Sequence, residues 1–318
     1  MADVERPTRA TTLSGAFAEV RDQRSGMKRA GRMLRRNRLG VIGMGILIIV
    51  AIAAVFSPVI APYGPNEGDI MDRLKCPVFT SCSATGVEVQ GTSEHAFGTD
   101  ALGRDILSRI IYGARVSLIV GLTAVLLGAG VGCTLGLLSG YYGGYVDSVI
   151  MRIGDLFLAF PYLLLAIAIV AVLGGGLLNV IIVLAIATWV PYARLMRGSV
   201  LSAKEREYVL AAQAIGVRDG PLLFKHVLPN VVTPIIVFGT FSVAAAIIAE
   251  AGLSFLGLGV GSTRPTWGNM LADGRNYVST AWWLATIPGI AIMLTVLSIN
   301  LIGDWLRDVL DPQLRNIE

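Results

Sequence analysis

The sequence predicts an all-α protein that crosses a membrane six times. Of its 318 residues, 54% are hydrophobic and 15% are charged, and the mean hydropathy is +0.68. A soluble domain carries about 25% charged residues, so a soluble fold is disfavoured. The apolar residues are concentrated in long runs without charge, which is the pattern of membrane spans. Five such windows occur, at residues 39–66, 116–146, 156–193, 227–249 and 276–303.

The third window is too long for one crossing. It has 38 residues, whereas about 20 helical residues cross a hydrocarbon core of about 30 Å. Gly174, Gly175 and Gly176 lie near its middle, and three consecutive glycines break a helix readily. We therefore expect a tight helical hairpin here and six spans in total. One tilted or broken span is the alternative.

Basic residues predict the orientation of the chain. Residues 1–38 carry ten Lys and Arg against four acids, and residues 194–226 carry six against three. Segments rich in Lys and Arg stay in the cytoplasm, and with six spans both segments and the C-terminus fall on that side. The sequence thus predicts a multi-pass membrane protein with both termini cytoplasmic. Because charge beside a first span already has this explanation, a nucleic-acid partner for the tail is disfavoured.

The spans divide the chain into five segments. A basic cytoplasmic tail precedes a first transmembrane helix, which is followed by a large extracytoplasmic loop. A transmembrane core with one long cytoplasmic loop comes next, and a short cytoplasmic tail ends the chain. The predicted boundaries are 1–38, 39–61, 62–114, 115–306 (with the cytoplasmic loop at 194–230) and 307–318.

The large loop contains two of the three cysteines. Cys76 and Cys82 have five residues between them, and an oxidising exterior permits a disulfide there. Two free thiols are the alternative. Two thiolates without further ligands do not make a metal site, so we expect none. Cys133 lies in an apolar span among small residues and is predicted to be a packing residue.

Charged residues also flank the spans. Residues 95–118 are predicted to form a helix near the outer surface that leads into the second span, with Asp100 as its cap. At the inner boundary of the third span, Arg152 and Asp155 are spaced for a pair. Glu250 is the one acid close to the apolar body of a span. It is interpreted as a helix-end carboxylate bonded to loop amides or hydroxyls, with an outer gate or proton coupling as alternatives.

Residues 208–230 encode two short helices joined by a tight turn. The first, Tyr208–Ile215, contains good helix formers and ends at Gly216, a typical glycine of a helix C-terminus. Asp219 then offers an N-cap for the second helix, and Pro229 is expected to end that helix before the fifth span. Alanines 211 and 212 give the first helix a smooth face that another surface can approach. The alternative is an ordinary amphipathic linker on the bilayer.

The spacing of this segment resembles the EAA loop of ABC-importer permeases, EAA-x3-G-x9-I-x-L-P. Ala211 and Ala212 are followed by Gly216 after three residues, and Leu228-Pro229 stand at the motif's end. Two positions depart from it, Leu210 in place of Glu and His226 in place of Ile. Three further blocks resemble the second ("C") permease of the dipeptide, oligopeptide and nickel branch. They are FGTDALGRDILSRIIYGARVSL, GGYVDSVIMRIGDLFLAFPYLLLAI and EAGLSFLGLGVGSTRPTWGNML.

The resemblance implies a type I permease fold and an uptake function. Its partners would be a second homologous permease, one or two ATPase subunits that bind ATP and Mg, and an extracytoplasmic substrate-binding protein. The resemblance places the complex in the lipid of the bacterial inner (plasma) membrane. The substrate class would be dipeptides or oligopeptides, with nickel or another small solute as the alternative. The coupling residues, all in the EAA-like loop at 203–230, would be Glu207, Ala211, Ala212, Gly216, Leu228 and Pro229.

Several motifs of catalysis are absent from the sequence. There is no GxxxxGK[ST] phosphate loop, no HExxH, no GxSxG and no CxxC, and only His95 and His226 are histidines. We therefore expect no catalytic residue, cofactor or metal in this chain, and a transport subunit rather than an enzyme. The rival class is an ion-coupled secondary transporter, which would need coupling acids near the bilayer midplane.

Overall fold

The computed structural model describes residues 37–82, 89–91, 93–261 and 263–310. The predicted basic tail, apart from its last two residues, and most of the C-terminal tail lie outside them. The described helices are α1 (Arg38–Val55), α2 (Ser57–Ile60), α3 (Ile106–Tyr142), α4 (Gly144–Leu158), α5 (Tyr162–Leu173), α6 (Leu177–Lys204), α7 (Glu207–Ala214), α8 (Asp219–Pro221), α9 (Leu228–Phe255), α10 (Trp267–Gly274) and α11 (Trp283–Leu310). Two-residue strands, β1 (Ser81–Cys82) and β2 (Val89–Gln90), pair antiparallel.

Five helical stretches in the described part of the chain are long and apolar enough to cross a membrane. They are α1, α3, α6, α11 and the continuous stretch Asp219–Phe255. The helices α4 and α5 pass the same test only as a pair, and they are bent by 89° at residues 159–161. With 12 residues, α5 is about 18 Å long, shorter than a hydrocarbon core of about 30 Å. The all-α architecture with six crossings therefore holds when the bent pair is one span.

The predicted break in the third window is confirmed. Helix α5 ends at Leu173 and α6 begins at Leu177. Gly174 and Gly176 have φ of 81° and 135°, a region that glycine enters at little cost. Asn179 Nδ2 donates to the carbonyls of Leu173 and Gly174, at 2.9 and 3.1 Å, and closes the turn.

Helix α3 begins later than the helix predicted at residues 95–118 and continues through the second span. It runs unbroken for 37 residues, about 55 Å, and so begins inside the predicted 62–114 loop. Its N-cap is Asp105, which accepts from Ser108 N and Ser108 Oγ, both at 2.7 Å. Asp100 is therefore not the cap. Its carboxylate instead binds Arg104 Nε at 2.6 Å and Arg109 Nη1.

Small residues hold α3 against α6. A Cβ added at Gly132 would lie 2.2 Å from the carbonyl oxygen of Trp189, and one at Gly136 would lie 2.2 Å from that of Ala193. Neither backbone carbonyl can move aside without bending its helix, so only glycine fits. Close backbone approach of this kind is the main packing device between helices in lipid.

The helical bundle has two ends. The end that carries the described residues of the segments 61–105 and 256–282 is called the disulfide end. There Asn66 Nδ2 donates to Thr263 O at 2.9 Å, and Gly176 N donates to Gly259 O at 3.1 Å. The opposite end carries the EAA-like loop.

Candidate functional site

The first half of the EAA-like loop is α7 and its glycine terminus. Gly216 N donates to Gln213 O at 2.9 Å, and Val217 N donates to Ala212 O at 3.1 Å. This hydrogen-bond pair is a Schellman motif, which needs a left-handed residue after the helix. Gly216 has φ +80°, so the predicted conformation at this position is confirmed. Apart from the two chain neighbours, no heavy atom of the described residues lies within 4 Å of a Cβ built there.

The second half differs from the prediction. After α8, residues Leu222–Val227 form a π-helix that leads directly into α9. Pro229 therefore does not end a separate helix, because it lies in the first turn of α9, where the missing N–H is tolerated. Asp219 also does not cap α8, since Arg218 holds the N-cap position. The second loop helix and the fifth span are thus one continuous helical rod.

The loop is packed onto the bundle by apolar side chains. These side chains form a hydrophobic cluster with residues from the ends of α3 and α6. The loop residues in the cluster are fully or almost fully buried. Those from the loop are Val209, Ala212, Leu222, Leu223 and Val227, and those from the bundle include Tyr141, Val200 and Ala203. The loop is therefore a built part of the fold.

One polar contact joins the loop to α3, and a second joins α3 to α6. Tyr141 Oη donates to Asp219 Oδ1 at 2.6 Å. Lys204 Nζ donates to Tyr141 O at 2.6 Å, and its ammonium lies 5.4 Å from the centre of the Tyr141 ring. Tyr141 thus contacts the ends of two other elements. The sequence analysis did not predict these contacts, because two tyrosines at the end of a span are ordinary at a membrane boundary.

Helix α4 is held against α6 by two charge pairs. The carboxylate of Asp147 accepts hydrogen bonds from Arg197 Nε and Nη2, at 2.5 and 2.6 Å, and from Ser139 Oγ at 2.5 Å. Asp155 accepts from Arg194 Nη2 at 2.6 Å, so the predicted pair of Asp155 with Arg152 is replaced by one across helices. Because such pairs are partly exposed, they fix position more than they add stability.

The structure places the predicted coupling residues unequally. Glu207, Ala211, Gly216 and Pro229 are exposed and Leu228 is half-buried, but Ala212 is only 7% exposed. Ala212 therefore faces the bundle, and the smooth face of α7 is provided by Ala211 without it.

Large apolar residues on the loop are exposed and were missed by sequence reasoning. Ile215 is 82% exposed and Phe224 is 64% exposed, and Tyr208 and Leu210 are also exposed. Tyr208, Ala211 and Ile215 recur at i, i+3 and i+7, which places them along one side of α7. We call Tyr208, Leu210, Ala211, Ile215 and Phe224 the docking face. The available signal was large apolar residues inside a charged segment.

Glu250 lies near the other end of α9 and is fully buried. Its Oε1 accepts from Ser254 Oγ at 2.7 Å, and its Oε2 accepts from Ser117 Oγ on α3 at 3.3 Å. Both carboxylate oxygens thus have hydroxyl partners, which is the bonding expected of a helix-end carboxylate. The cluster joins α9 to α3.

The disulfide end is held together by a disulfide bond and by contacts between charged side chains. Cys76 and Cys82 form a disulfide with Cα atoms 6.0 Å apart. Lys75 Nζ lies 2.5 Å from Asp72 Oδ1, and this hydrogen bond lowers the pKa of Asp72 and raises the pKa of Lys75. His95 Nδ1 lies 3.1 Å from Asp105 Oδ1, which connects the large loop to the start of α3.

The fold matches that of a known transporter class. A chain of the MetNI methionine ABC transporter, in inward-facing conformations, aligns with a TM-score of 0.50 over 63% of this chain and 96% of that chain, at 17% identity. The six crossings and the packed EAA-like loop thus define an ABC-importer permease fold. The family described as "Binding-protein-dependent transport system inner membrane component" matches residues 132–316, and "N-terminal TM domain of oligopeptide transport permease C" matches residues 25–77. The chain belongs to this family of transport permeases.

Curated relatives are similar over nearly the whole chain. The "Dipeptide transport system permease protein DppC" of Alkalihalophilus pseudofirmus is 43% identical, covering 91% of this chain and 90% of its own. The "Di/tripeptide transport system permease protein DppC" of Pseudomonas aeruginosa is 43% identical, covering 92% and 94%. The "Glutathione transport system permease protein GsiD" of Pectobacterium atrosepticum is 43% identical, covering 90% and 90%. The chain is thus a multi-pass inner-membrane subunit of an ABC importer, which works with ATPase and other subunits, and not an enzyme.

Proposed function

We propose that this chain forms, with a second homologous permease, the path by which dipeptides or oligopeptides enter the cell. The observation that carries the proposal is the EAA-like loop, which is packed onto α3 and α6 and yet exposes an apolar docking face. The curated relatives named above are peptide and glutathione permeases, which favours a peptide over nickel or another small solute.

The proposed partners follow from the two ends of the bundle. One or two ATPase subunits, which bind ATP and Mg, cover the docking face in the cytoplasm. An extracytoplasmic binding protein delivers substrate at the disulfide end. The basic segments 1–38 and 194–226 support this orientation, and a disulfide suits an oxidising exterior.

The coupling path begins at the docking face, where Glu207, Ala211 and Gly216 meet the ATPase. Motion of the loop is passed on in two ways. The π-helix joins the loop to α9 without a break, so a push on the loop displaces a whole span. Tyr141 and Lys204 carry the same displacement to α3 and α6. Rocking of these spans against the second permease then alternates access between the two sides.

A second proposal concerns Glu250. Because its buried carboxylate ties α9 to α3 near the disulfide end, it keeps these two helices together on the side that opens outward. We assign it to the outer gate. Leu228 and Pro229, at the opposite end of α9, mark the junction where the loop's motion enters the span.

Uptake by cells that express the complete transporter tests the proposal. Labelled dialanine should accumulate, unlabelled dipeptide in excess should compete, and Ni²⁺ should not. Depletion of ATP with the proton gradient intact should stop uptake. Uptake that survives ATP depletion and stops when the gradient is collapsed would identify a secondary transporter instead.

A further inference from the structure

A pocket of about 440 Å³ opens at the disulfide end, apart from the EAA-like loop. Its walls come from the turn before α3, the end of α9, helix α10 and the 3-10 turn Arg275–Tyr277 that follows it. Small-molecule sites in proteins have volumes of about 300–1,000 Å³. The pocket is therefore large enough for a small peptide and lies at the end where substrate arrives.

One side of the pocket offers a carboxylate with an unused oxygen. Asp273 Oδ2 lies 3.4 Å from Arg104 Nη2 and 3.4 Å from Arg109 Nη2. Both contacts use the same oxygen, so within the described part of the chain Oδ1 has no hydrogen-bond donor. The Asp273 side chain is 53% exposed, so Oδ1 can accept from a ligand ammonium. Asp100, by contrast, has both oxygens occupied: Oδ2 accepts from the side chains of Arg104 and Arg109, and Oδ1 accepts from Leu102 N and Arg104 N.

The pocket lining also contains a guanidinium that is not paired with an acid. Arg275 lies over the ring of Phe255, 5.8 Å from its centre, and among the described residues no carboxylate oxygen lies within 4 Å of it. A cation–π contact of this kind uses none of the N–H groups, which lie in the plane of the guanidinium. A planar guanidinium with free N–H groups is suited to bind a carboxylate through two parallel hydrogen bonds.

The two groups are two residues apart and opposite in charge, and the rest of the lining suits a peptide. Asn276 and Tyr277 add neutral polar groups, whereas Phe255, Leu256 and Leu284 provide apolar surface for a side chain. The charges of Asp100, Asp273, Arg104 and Arg109 cancel, so Arg275 leaves the site with one net positive charge. A ligand with both an ammonium and a carboxylate matches this arrangement, whereas a bare cation does not.

We propose that this pocket binds a free peptide zwitterion, with the α-ammonium on Asp273 and the α-carboxylate on Arg275. The inference rests on the proposed function, because it places a binding site for the same substrate on the permease itself. Phe255 ends α9, and α9 carries the EAA-like loop at its other end. An occupied pocket thus contacts the span through which the loop acts.

The test uses the complete permease–ATPase complex in nanodiscs, without binding protein, titrated by calorimetry. The probes are dialanine, N-acetyl-dialanine and dialanine amide. Dialanine should bind saturably, and blocking either end should weaken binding at least five-fold. Arg275→Gln should weaken dialanine binding at least five-fold and abolish the difference between dialanine and its amide. Asp273→Asn should instead abolish the difference between dialanine and its N-acetyl form.

Arg73→Gln is the matched control, because Arg73 is an exposed arginine at the same end that does not line the pocket. It should leave all three affinities unchanged. Asp273→Asn risks misfolding, because Asp273 contacts two arginines. Arg275 has no ion-pair partner among the described residues, so the Arg275→Gln variant is expected to fold and decides the test. Absence of saturable dialanine binding, or binding that Arg275→Gln does not change, would overturn the inference.

Uptake separates this inference from the proposed function. If dialanine is taken up normally by the complete transporter but does not bind the nanodisc complex, the pocket is not a peptide site and the permease assignment stands. If Arg275→Gln weakens capture of the binding protein and dialanine never binds, the pocket is a protein contact and the inference is wrong. If dialanine binds the pocket but is never transported, the proposed function fails.

Discussion

The two ends of the helical bundle are stabilised by different contacts. At the disulfide end, a covalent bond and charged groups close the large loop onto α3, with Asp100 holding Arg104 and Arg109. At the other end, the EAA-like loop is held by buried apolar side chains and leaves Ile215 and Phe224 exposed. The disulfide end also exposes apolar side chains, Ile70 and Met71 among them, so the two ends differ in the contacts that hold them and not in whether apolar surface is exposed. Exposed apolar patches mark interaction sites, which supports our proposal that the ATPase binds the EAA-like loop.

Labelling with an impermeant thiol reagent on intact cells tests whether the two ends lie on opposite sides of the membrane. In a background without native cysteines, Met71→Cys and Ser202→Cys place one thiol at each end, both at exposed positions. We expect labelling at 71 and none at 202, because the positive-inside rule puts 202 in the cytoplasm. Permeabilised cells, where both positions should label, are the control. Labelling at 202 in intact cells would reverse the two ends.

Phe224→Asp tests the docking face and should have a large effect. Phe224 is already 64% exposed, so the fold loses little, but an acid replaces the apolar contact. Interface residues of this kind contribute about 2 kcal/mol or more, so ATPase attachment should fall more than ten-fold. Met71→Asp makes the same change at the disulfide end and should leave attachment unchanged. Co-purification of the ATPase measures both, and equal attachment in the two variants would argue against the docking face.

Tyr141→Phe should have an intermediate effect. It removes the hydrogen bond to Asp219, which is worth about 0.5–1.5 kcal/mol, and leaves the docking face intact. We therefore expect normal ATPase attachment but a few-fold fall in dialanine taken up per ATP hydrolysed. The adjacent Tyr142→Phe, which alters an exposed ring, is the control. A loss of attachment would show that Tyr141 supports the loop's fold and not the transfer of motion.

The double variant Cys76→Ser, Cys82→Ser should have the smallest effect. The entropic stabilisation of so short a ring is about 2 kcal/mol, and the contacts of Asp100 and His95 still hold the loop to α3. Uptake should stay within two-fold of the wild type. Mass spectrometry of a non-reduced digest should find one linked peptide pair, and two separately alkylated thiols in the wild type would contradict the bond.

The sequence predicted the features that depend on composition and local backbone chemistry. Long uncharged windows fix the spans, and consecutive glycines at 174–176 fix the hairpin turn. Spacing alone also located the left-handed Gly216. In each case the cause lies within a few residues of the effect.

The features that failed depend on distant contacts. Arg115 bounds the apolar window of the second span, yet α3 begins at Ile106 and contains Arg109, which pairs with Asp100 and Asp273. Asp155 pairs with Arg194, 39 residues away, which no local spacing indicates. The second helix of the loop was predicted to end at Pro229, but the π-helix continues into α9 without a break. Pro229 lies in the first turn of α9 and does not end a helix.

The central claim is that the EAA-like loop is the ATPase contact, and Gly216→Val tests it most directly. Valine at φ +80° is strained, by about 1–2 kcal/mol, and its side chain would fill space that is open among the described residues. Gly174→Val is the matched control, since Gly174 has φ +81° and equally open surroundings at the disulfide end. Gln213→Ala, at an exposed loop position, should be nearly silent.

The measurement is co-purification of the ATPase with each variant, beside dialanine uptake and the amount of inserted permease. We predict that both glycine variants insert normally, that Gly174→Val keeps the ATPase, and that Gly216→Val loses the ATPase and all uptake. Normal attachment and normal uptake in Gly216→Val would contradict the account, because the loop would then be a surface linker.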